Sequence, residues 1–191
     1  MIGRGDPWGE LVDPPDGLIG VASDAEAASV DGDRVRLTGG DLLASLGGPT
    51  TGSQVGRFDI DLLRVASDEG VHVAIAHVIA RGRTWWRGPI AGAFNVDRRG
   101  RWDAAPRAHP GDGLLDVIEV DAGMSVRDRW QAWRRLPTGT HVPHPAITVR
   151  RARAVSWTFD PPRRLWVDGE RRGFVRCLKV TVEHGAATVH T

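Results

Sequence analysis

The sequence predicts a mainly β fold of the α+β class: a β-sandwich or barrel-like core with one interrupting helix and an irregular N-terminal arm. Three observations carry this. Short segments of alternating apolar and polar residues recur along most of the chain, separated by Gly, Pro and Asp turns. Only one long stretch carries the period of an amphipathic helix. Gly and Pro crowd the first twenty residues too densely for a regular element.

In chain order, residues 1–20 read as an extended arm, with Gly3, Gly5, Pro7, Gly9, Pro14, Pro15 and Gly17 interrupting any pattern. Leu18 to Val21 fits a short strand, and Ser23-Asp24-Ala25-Glu26 starts a brief helix. Val35 to Leu37 fits a second short strand. Asp41 is placed to N-cap a helix through Leu42, Leu43 and Leu46, stopped by Gly47-Gly48-Pro49. From there the period is two. Phe58 to Leu62 and Val71 to Ala76 each alternate as a strand with one buried face. Further strands are expected at Ile90 to Val96, Leu115 to Val120, Ile147 to Val155, Ser156 to Phe159, Arg164 to Val167, Cys177 to Glu183 and Ala187 to His190.

The one long helix follows Ser125, with Asp128 three residues on as a shortened capping box, and Pro137 ends it. Val126, Trp130 and Trp133 share one face, and Arg127, Arg129, Arg134 and Arg135 occupy the others. A lone helix beside a sheet must cover it, so the Trp face is expected to pack inward and the arginines to be solvated. The alternative is a basic, Trp-bearing helix lying on a membrane surface.

At 191 residues the chain has room for one domain and a core that needs no disulfide or metal staple. Hydrophobic residues at 41% and charged residues at 26% exclude a wholly disordered chain. No apolar run approaches the ~20 residues of a membrane-spanning helix, and the acidic, Pro-rich start is no signal peptide. The single Cys177 cannot form an internal disulfide. A cytoplasmic setting is expected, with peripheral association at the inner membrane surface.

The net charge of +1 conceals a strong asymmetry. Residues 1–70 hold 5 Arg against 13 acids, whereas residues 71–191 hold 20 basic residues against 11 acids. That division implies an anionic partner, internal masking, or both.

Three constellations could carry chemistry. His109-Pro110-Gly111-Asp112-Gly113-Leu114-Leu115-Asp116 is a turn able to aim carbonyl oxygens and a carboxylate at a hard cation, although such turns more often simply precede a strand. Leu165-Trp166-Val167-Asp168-Gly169-Glu170 reads first as a type I′ hairpin, and its two carboxylates could also offer a general base. His141-x-x-His144 has a zinc-like spacing, but Pro143 and Pro145 deny it a helix and no further ligand cluster joins it. No nucleophile elbow, dinucleotide fingerprint or Gly-Lys-Ser/Thr phosphate loop occurs.

Taken in order, these segments resemble the C-terminal domain of the bacterial diacylglycerol kinase and YegS-like lipid kinases, within the NAD kinase/diacylglycerol kinase-like superfamily. Ala105 to Val117 is similar to the family's Ala-Pro…Asp-Gly-Leu-Leu-Asp signature. A helix, Gly139-Thr140-His141…His144-Pro145, a strand pair and Val167-Asp168-Gly169-Glu170 follow in the family's order. The resemblance starts near Phe58 and implies a two-layer, mostly antiparallel β-sandwich-like domain with one or two covering helices. It implies a Mg²⁺ site at the backbone oxygen of His109, the carboxylate of Asp112 and the backbone oxygen of Leu114, with His109 standing where the family has Lys. It implies Glu170 as the base toward a lipid hydroxyl, with Asp168 beside it.

Leu37 to Gly47 resembles the family's Gly-Thr-Gly-Asn-Asp segment with Gly40 in place of Asn, which implies ATP contacts at Gly39, Gly40 and Asp41. Residues 1–50 then form an arm and remnant of the nucleotide-binding half, and residues 51–191 the β domain. The family's Gly-Gly-Asp-Gly-Thr loop is missing from this sequence. Three readings follow: a lipid kinase phosphorylating a hydroxyl such as that of diacylglycerol, with a partner chain or homodimer completing the ATP site; a non-catalytic lipid-binding or regulatory module; and a plain interaction domain. A lipid or anionic membrane surface is the expected partner, and nucleic acid is not.

Overall fold

The computed structural model describes residues 8–30 and 32–191. Gly3, Gly5 and Pro7 of the expected arm lie outside them. Strand accounts for 49% and helix for 12%, a mostly β domain of the expected sandwich-like class.

The elements are β1 (Glu10–Val12), β2 (Ile19–Val21), α1 (Asp24–Ala27), β3 (Val35–Leu37), α2 (Asp41–Ser45), β4 (Val55–Ser67), β5 (Gly70–Ala74), β6 (His77–Arg81), β7 (Ile90–Phe94), β8 (Arg98–Arg99), β9 (Trp102–Asp103), β10 (Leu115–Val120), α3 (Val126–Arg135), β11 (Ile147–Ala152), β12 (Ala154–Val167) and β13 (Glu170–His190). One sheet of eleven strands runs β1-β4-β13-β12-β6-β7-β10-β11, with β5 on β4 and a small hairpin of β8 and β9 apart. Leu115 and Val117 of β10 share a core with Leu178 and Val180 of β13, although three strands separate β10 from β13 along the path. The sheet therefore curls over itself and buries apolar residues between two layers, as a sandwich does.

Two features add detail to the mostly antiparallel, short-stranded expectation. β2 pairs with β3 in parallel, and β3 pairs in parallel with the end of β13, so residues 19–46 form a small β-α-β-α corner on an otherwise antiparallel sheet. Strands expected to be separate are also continuous. β12 runs through Asp160-Pro161-Pro162, where the register jumps from Thr158↔Cys177 to Arg163↔Val175. Proline cannot donate to a ladder, so the chain bulges there and then resumes pairing. β13 likewise crosses Gly185 with a register shift between Glu183 and Ala187.

The helix α3 turns the other way from the expectation. Val126, Trp130 and Trp133 are 49%, 47% and 38% exposed, and the residue α3 buries is Arg129. Arg129 donates to the carbonyls of Met124 (3.2 Å), Trp85 (3.0 Å), Gly88 (2.5 Å) and Asp121 (2.9 Å). Four backbone acceptors offset the cost of burying a guanidinium, so Arg129 and Ala132 take the inward stripe and the indoles are left outside. Half of the capping box forms: Ser125 Oγ accepts from the Asp128 N–H at 3.1 Å, while the Asp128 carboxylate accepts from the Ser125 hydroxyl at 2.7 Å rather than from its N–H.

Candidate functional site

The type I′ turn is present: Asp168 has φ 47° and Gly169 φ 82°. It joins β12 to β13 and aims the Asp168 side chain into the protein. There its carboxylate accepts from the backbone N–H groups of Ile75 (2.8 Å), Ala76 (3.0 Å) and His77 (2.9 Å), while the Asp168 N–H donates to the His77 carbonyl at 2.9 Å. Burial pushes the Asp168 carboxyl up, with the neighbouring His77 and the three N–H donors pulling against it. Asp168 is thus a bolt between the hairpin and the β5–β6 connection. Glu170, two residues on, points to solvent and pairs with Arg172 at 2.6 Å. The two expected catalytic carboxylates share a turn and face opposite ways.

The β5–β6 connection also meets the parallel corner. His77, buried at the start of β6, lies 3.0 Å through Nε2 from Asp41 Oδ2, and Asp41 Oδ1 accepts from the Gly100 N–H at 2.5 Å. Burial would raise the Asp41 carboxyl, but the His77 hydrogen bond, the Gly100 N–H and the His77 and Arg99 charges outweigh it and hold it low. Asp41 is the first residue of α2 rather than its cap, because Asp24 performs the capping: its carboxylate accepts from the Asp41 N–H at 2.7 Å and the Leu42 N–H at 3.1 Å. Burial raises the Asp24 carboxyl to about 6, against the two N–H donors and helped by Asp168 and Asp41.

This packing accounts for the glycines of the Thr38-Gly39-Gly40-Asp41 segment. A Cβ at Gly39 would run into the Ala22 carbonyl, and one at Gly40, with φ 100°, into the Asp24 carboxylate. Both glycines are used to bring β2, α1 and α2 together. Asp24 and Asp41 lie together there, with His77 and Arg99 offsetting the Asp41 charge and the Asp168 carboxylate turned to the 75–77 backbone. The residues expected to contact ATP are brought together, with the Asp41 side chain already bonded to His77 and the Gly100 N–H.

The loop 109–114 stands apart from that cluster. The Asp61 backbone N–H donates to the Pro110 carbonyl at 2.6 Å, and the wholly buried Asp61 carboxylate accepts from the Gly113 and Gly185 N–H groups at 2.6 and 2.9 Å. Trp8, from the arm, lies over His109 with ring centroids 4.5 Å apart. Asp112 is 8% exposed; one carboxylate oxygen accepts from the Leu114 N–H at 3.0 Å and the other pairs closely with Arg151 of β11. Arg151 also reaches the buried Asp116 at 3.5 Å. A guanidinium therefore occupies the charge-neutralising position that the resemblance gives to Mg²⁺. A divalent ion at His109, Asp112 and Leu114 would have to displace it, and the residues do not fit a resident metal.

His141 is buried and His144 accepts from the Ala146 N–H through Nδ1 at 3.1 Å. Among the described residues no three His, Cys, Asp or Glu side chains converge as a metal site.

A third feature is absent from the sequence expectations. A cavity of about 190 Å³ lies between α3 and the sheet, walled by Ile79, Phe94, Ile118, Met124, Trp133 and Ile147 among others. Arg99 and Trp102 of the β8–β9 hairpin and His141 close one side of it. Arg129 braces its rim by tying the 85–88 and 121–124 segments to α3. The pattern that pointed here was the density of Trp around residues 85–102; its enclosure depends on α3 turning Arg129 inward.

The fold matches solved structures at low identity. A candidate diacylglycerol kinase from Bacillus anthracis str. Sterne aligns with TM-score 0.59 and 11% identity over 81% of this chain and 68% of that one. A diacylglycerol kinase from the same strain aligns with TM-score 0.55 and 11% identity, covering 81% of this chain and 65% of that one. No curated protein matches the chain. The family model of the YegS C-terminal NAD kinase beta sandwich-like domain matches residues 91–190, which hold the Asp112 loop, α3, the cavity's helical wall and the Asp168 hairpin. On that match over half its length, the chain belongs to the YegS C-terminal, NAD kinase beta sandwich-like domain family.

Proposed function

We propose that this domain is a lipid-binding module of the lipid-kinase family, taking an acyl chain in the cavity between α3 and the sheet while α3 rests on an anionic membrane. The observation that carries the reading is the cavity itself, an apolar, Trp-walled slot in a domain whose fold resembles those of diacylglycerol kinases. At about 190 Å³ it is narrower than the ~300–1,000 Å³ of sites for drug-sized ligands, which suits a single hydrocarbon chain.

The exposed Trp86, Trp130 and Trp133 support membrane contact. Trp86 and Trp133 meet edge-on with centroids 6.3 Å apart, and the Arg134 guanidinium lies 4.9 Å over the Trp130 ring. Indoles flanked by Arg127, Arg134 and Arg135 are the composition of a surface that inserts at a lipid headgroup layer. No helix among the described residues is long and apolar enough to cross a membrane.

A second reading, phosphoryl transfer from ATP to a lipid hydroxyl, is favoured by one observation: Glu170 is exposed on the turn whose Asp168 bonds the His77 N–H, and His77 in turn reaches Asp41. In that reading Glu170 takes the hydroxyl proton.

One experiment separates the two. The chain is mixed with dioctanoylglycerol micelles and radiolabelled ATP with Mg²⁺, and both lipid binding and label transfer are read. The expected result is binding without transfer. Transfer lost in Glu170→Gln would establish the kinase reading, and absence of lipid binding would overturn both.

A further inference from the structure

The cavity is apolar along most of its wall and strongly cationic at one side. Arg99 lines it, and Arg99 Nε, Trp102 Nε1 and His141 Nδ1, all in lining residues, are buried without a hydrogen-bond partner among the described residues. Arg81, not itself a lining residue, adds a second guanidinium: it stacks on the lining Trp85 at 4.3 Å and on Trp166 at 4.1 Å, donates to the Gly82 and Arg83 carbonyls at 3.1 and 3.2 Å, and keeps its Nε buried and unpartnered. Arg99 stacks on the same Trp85 ring at 5.2 Å and on Trp102 at 5.8 Å.

No carboxylate among the described residues lies within ion-pair distance of Arg81 or Arg99. The two half-buried guanidinium groups share one indole and repel each other, and Asp41, beyond ion-pair distance, offsets the charge on Arg99 only in part. Burial lowers both, and Arg99 adds to the effect on Arg81, so the protein holds these charges at a cost. Buried polar atoms of native proteins are almost always paired, so a cluster of orphans needs a partner.

Their chemistry defines that partner. Arg side-chain nitrogens and the Trp indole N–H donate and cannot accept. The missing group is therefore an acceptor, and two positive charges favour an oxyanion over a neutral carbonyl or hydroxyl.

We propose that the cavity binds an anionic amphiphile, with its hydrocarbon chain along the Ile79, Phe94, Ile118 and Ile147 wall and its carboxylate or phosphate head at Arg99, Arg81 and Trp102. The inference rests on the lipid-binding reading and sharpens it: the preferred ligand carries its negative charge already, unlike diacylglycerol. A fatty acid and a lysophospholipid-type phosphate share the required head chemistry.

The test is calorimetric titration of the chain with decanoate, decyl phosphate, decanol and decyltrimethylammonium, each below its micelle concentration. Decanoate or decyl phosphate is expected to bind at least tenfold tighter than decanol, the smaller effect of losing a charged hydrogen bond. The better of the two anions identifies the head as carboxylate or phosphate. Arg99→Gln is expected to collapse the anion-to-decanol ratio toward one while decanol affinity stays unchanged. If Arg99→Gln does not fold, as judged by circular dichroism, Arg81→Gln is read in its place.

Equal or tighter binding of decanol or the cationic amphiphile by the wild-type protein would overturn the inference and leave a lipid-binding module. Failure of all four probes to bind would overturn the lipid-binding reading itself. An unchanged anion preference in a folded Arg99→Gln and Arg81→Gln pair would also sink the proposal.

Discussion

Arg151 on β11 pairs with Asp112 in the loop before β10, and the same guanidinium reaches Asp116, which is 1% exposed. One side chain thereby neutralises two buried carboxylates and ties the loop to the sheet. Burial raises the Asp116 carboxyl on balance, with the Arg151 charge the first of the groups drawing it back. The loop that the family resemblance equips with Mg²⁺ is held here by an internal cation.

Arg151→Gln should accordingly destabilise the domain by about 2–4 kcal/mol, somewhat discounted from a fully buried pair because Arg151 is 30% exposed. Denaturant unfolding checks this. The thermal midpoint of the wild-type protein should be the same in millimolar Mg²⁺ and in EDTA; a clear rise with Mg²⁺ would show that a metal competes with Arg151.

Asp168→Ala should cost roughly 3 kcal/mol or more, because three buried N–H groups at residues 75–77 lose their acceptor together. Glu170→Gln, one residue past the turn and solvent-exposed, should leave stability within about 0.5 kcal/mol of wild type. Parallel urea melts of the two variants decide whether the hairpin's acids differ in kind.

Asp24 gives a pH signature. Its carboxyl stands at about 6 in the folded protein against 3.8 ordinarily, so between those values the folded state binds more protons than the unfolded one. Stability therefore falls as pH rises through that window, and the contribution is largest below it. A shift of about two units corresponds to roughly 3 kcal/mol. The stability of Asp24→Asn relative to wild type should rise from pH 4 to pH 7 by up to that amount; a pH-independent difference would refute the assignment.

The outward Trp face of α3 predicts salt-sensitive attachment to anionic vesicles. Trp130→Ala with Trp133→Ala should reduce partitioning by tenfold or more, and Arg134→Gln by severalfold, with the Arg effect fading at high salt. Vesicle cosedimentation at two ionic strengths measures both. Partitioning unchanged in the double variant would remove α3 from the membrane contact.

The residues legible in advance are those whose role is local. Ser125 caps α3 because its hydroxyl accepts from an N–H three residues on, and Asp168-Gly169 turns because only such a pair accepts two positive φ values cheaply. Strand period, the Gly-rich Thr38–Asp41 segment and the Leu115–Val120 strand follow from the same short-range rules. The kin of the chain was legible too, since ordered turn motifs survive as a string.

What the sequence left open is decided at long range. Arg151 stands 39 residues from Asp112, Asp168 91 residues from His77, and Arg99 18 residues from Arg81. Whether Asp112 meets a metal or a guanidinium, and whether Asp168 meets substrate or backbone, depends on which strands the curled sheet lays side by side. The turn of α3 is the clearest case. Its sequence offers the sheet a Trp stripe, yet four carbonyls in the loops around it take the Arg129 guanidinium instead. A buried acceptor left without a donor costs more than an exposed indole, and that inequality opens the cavity and puts the tryptophans on the surface.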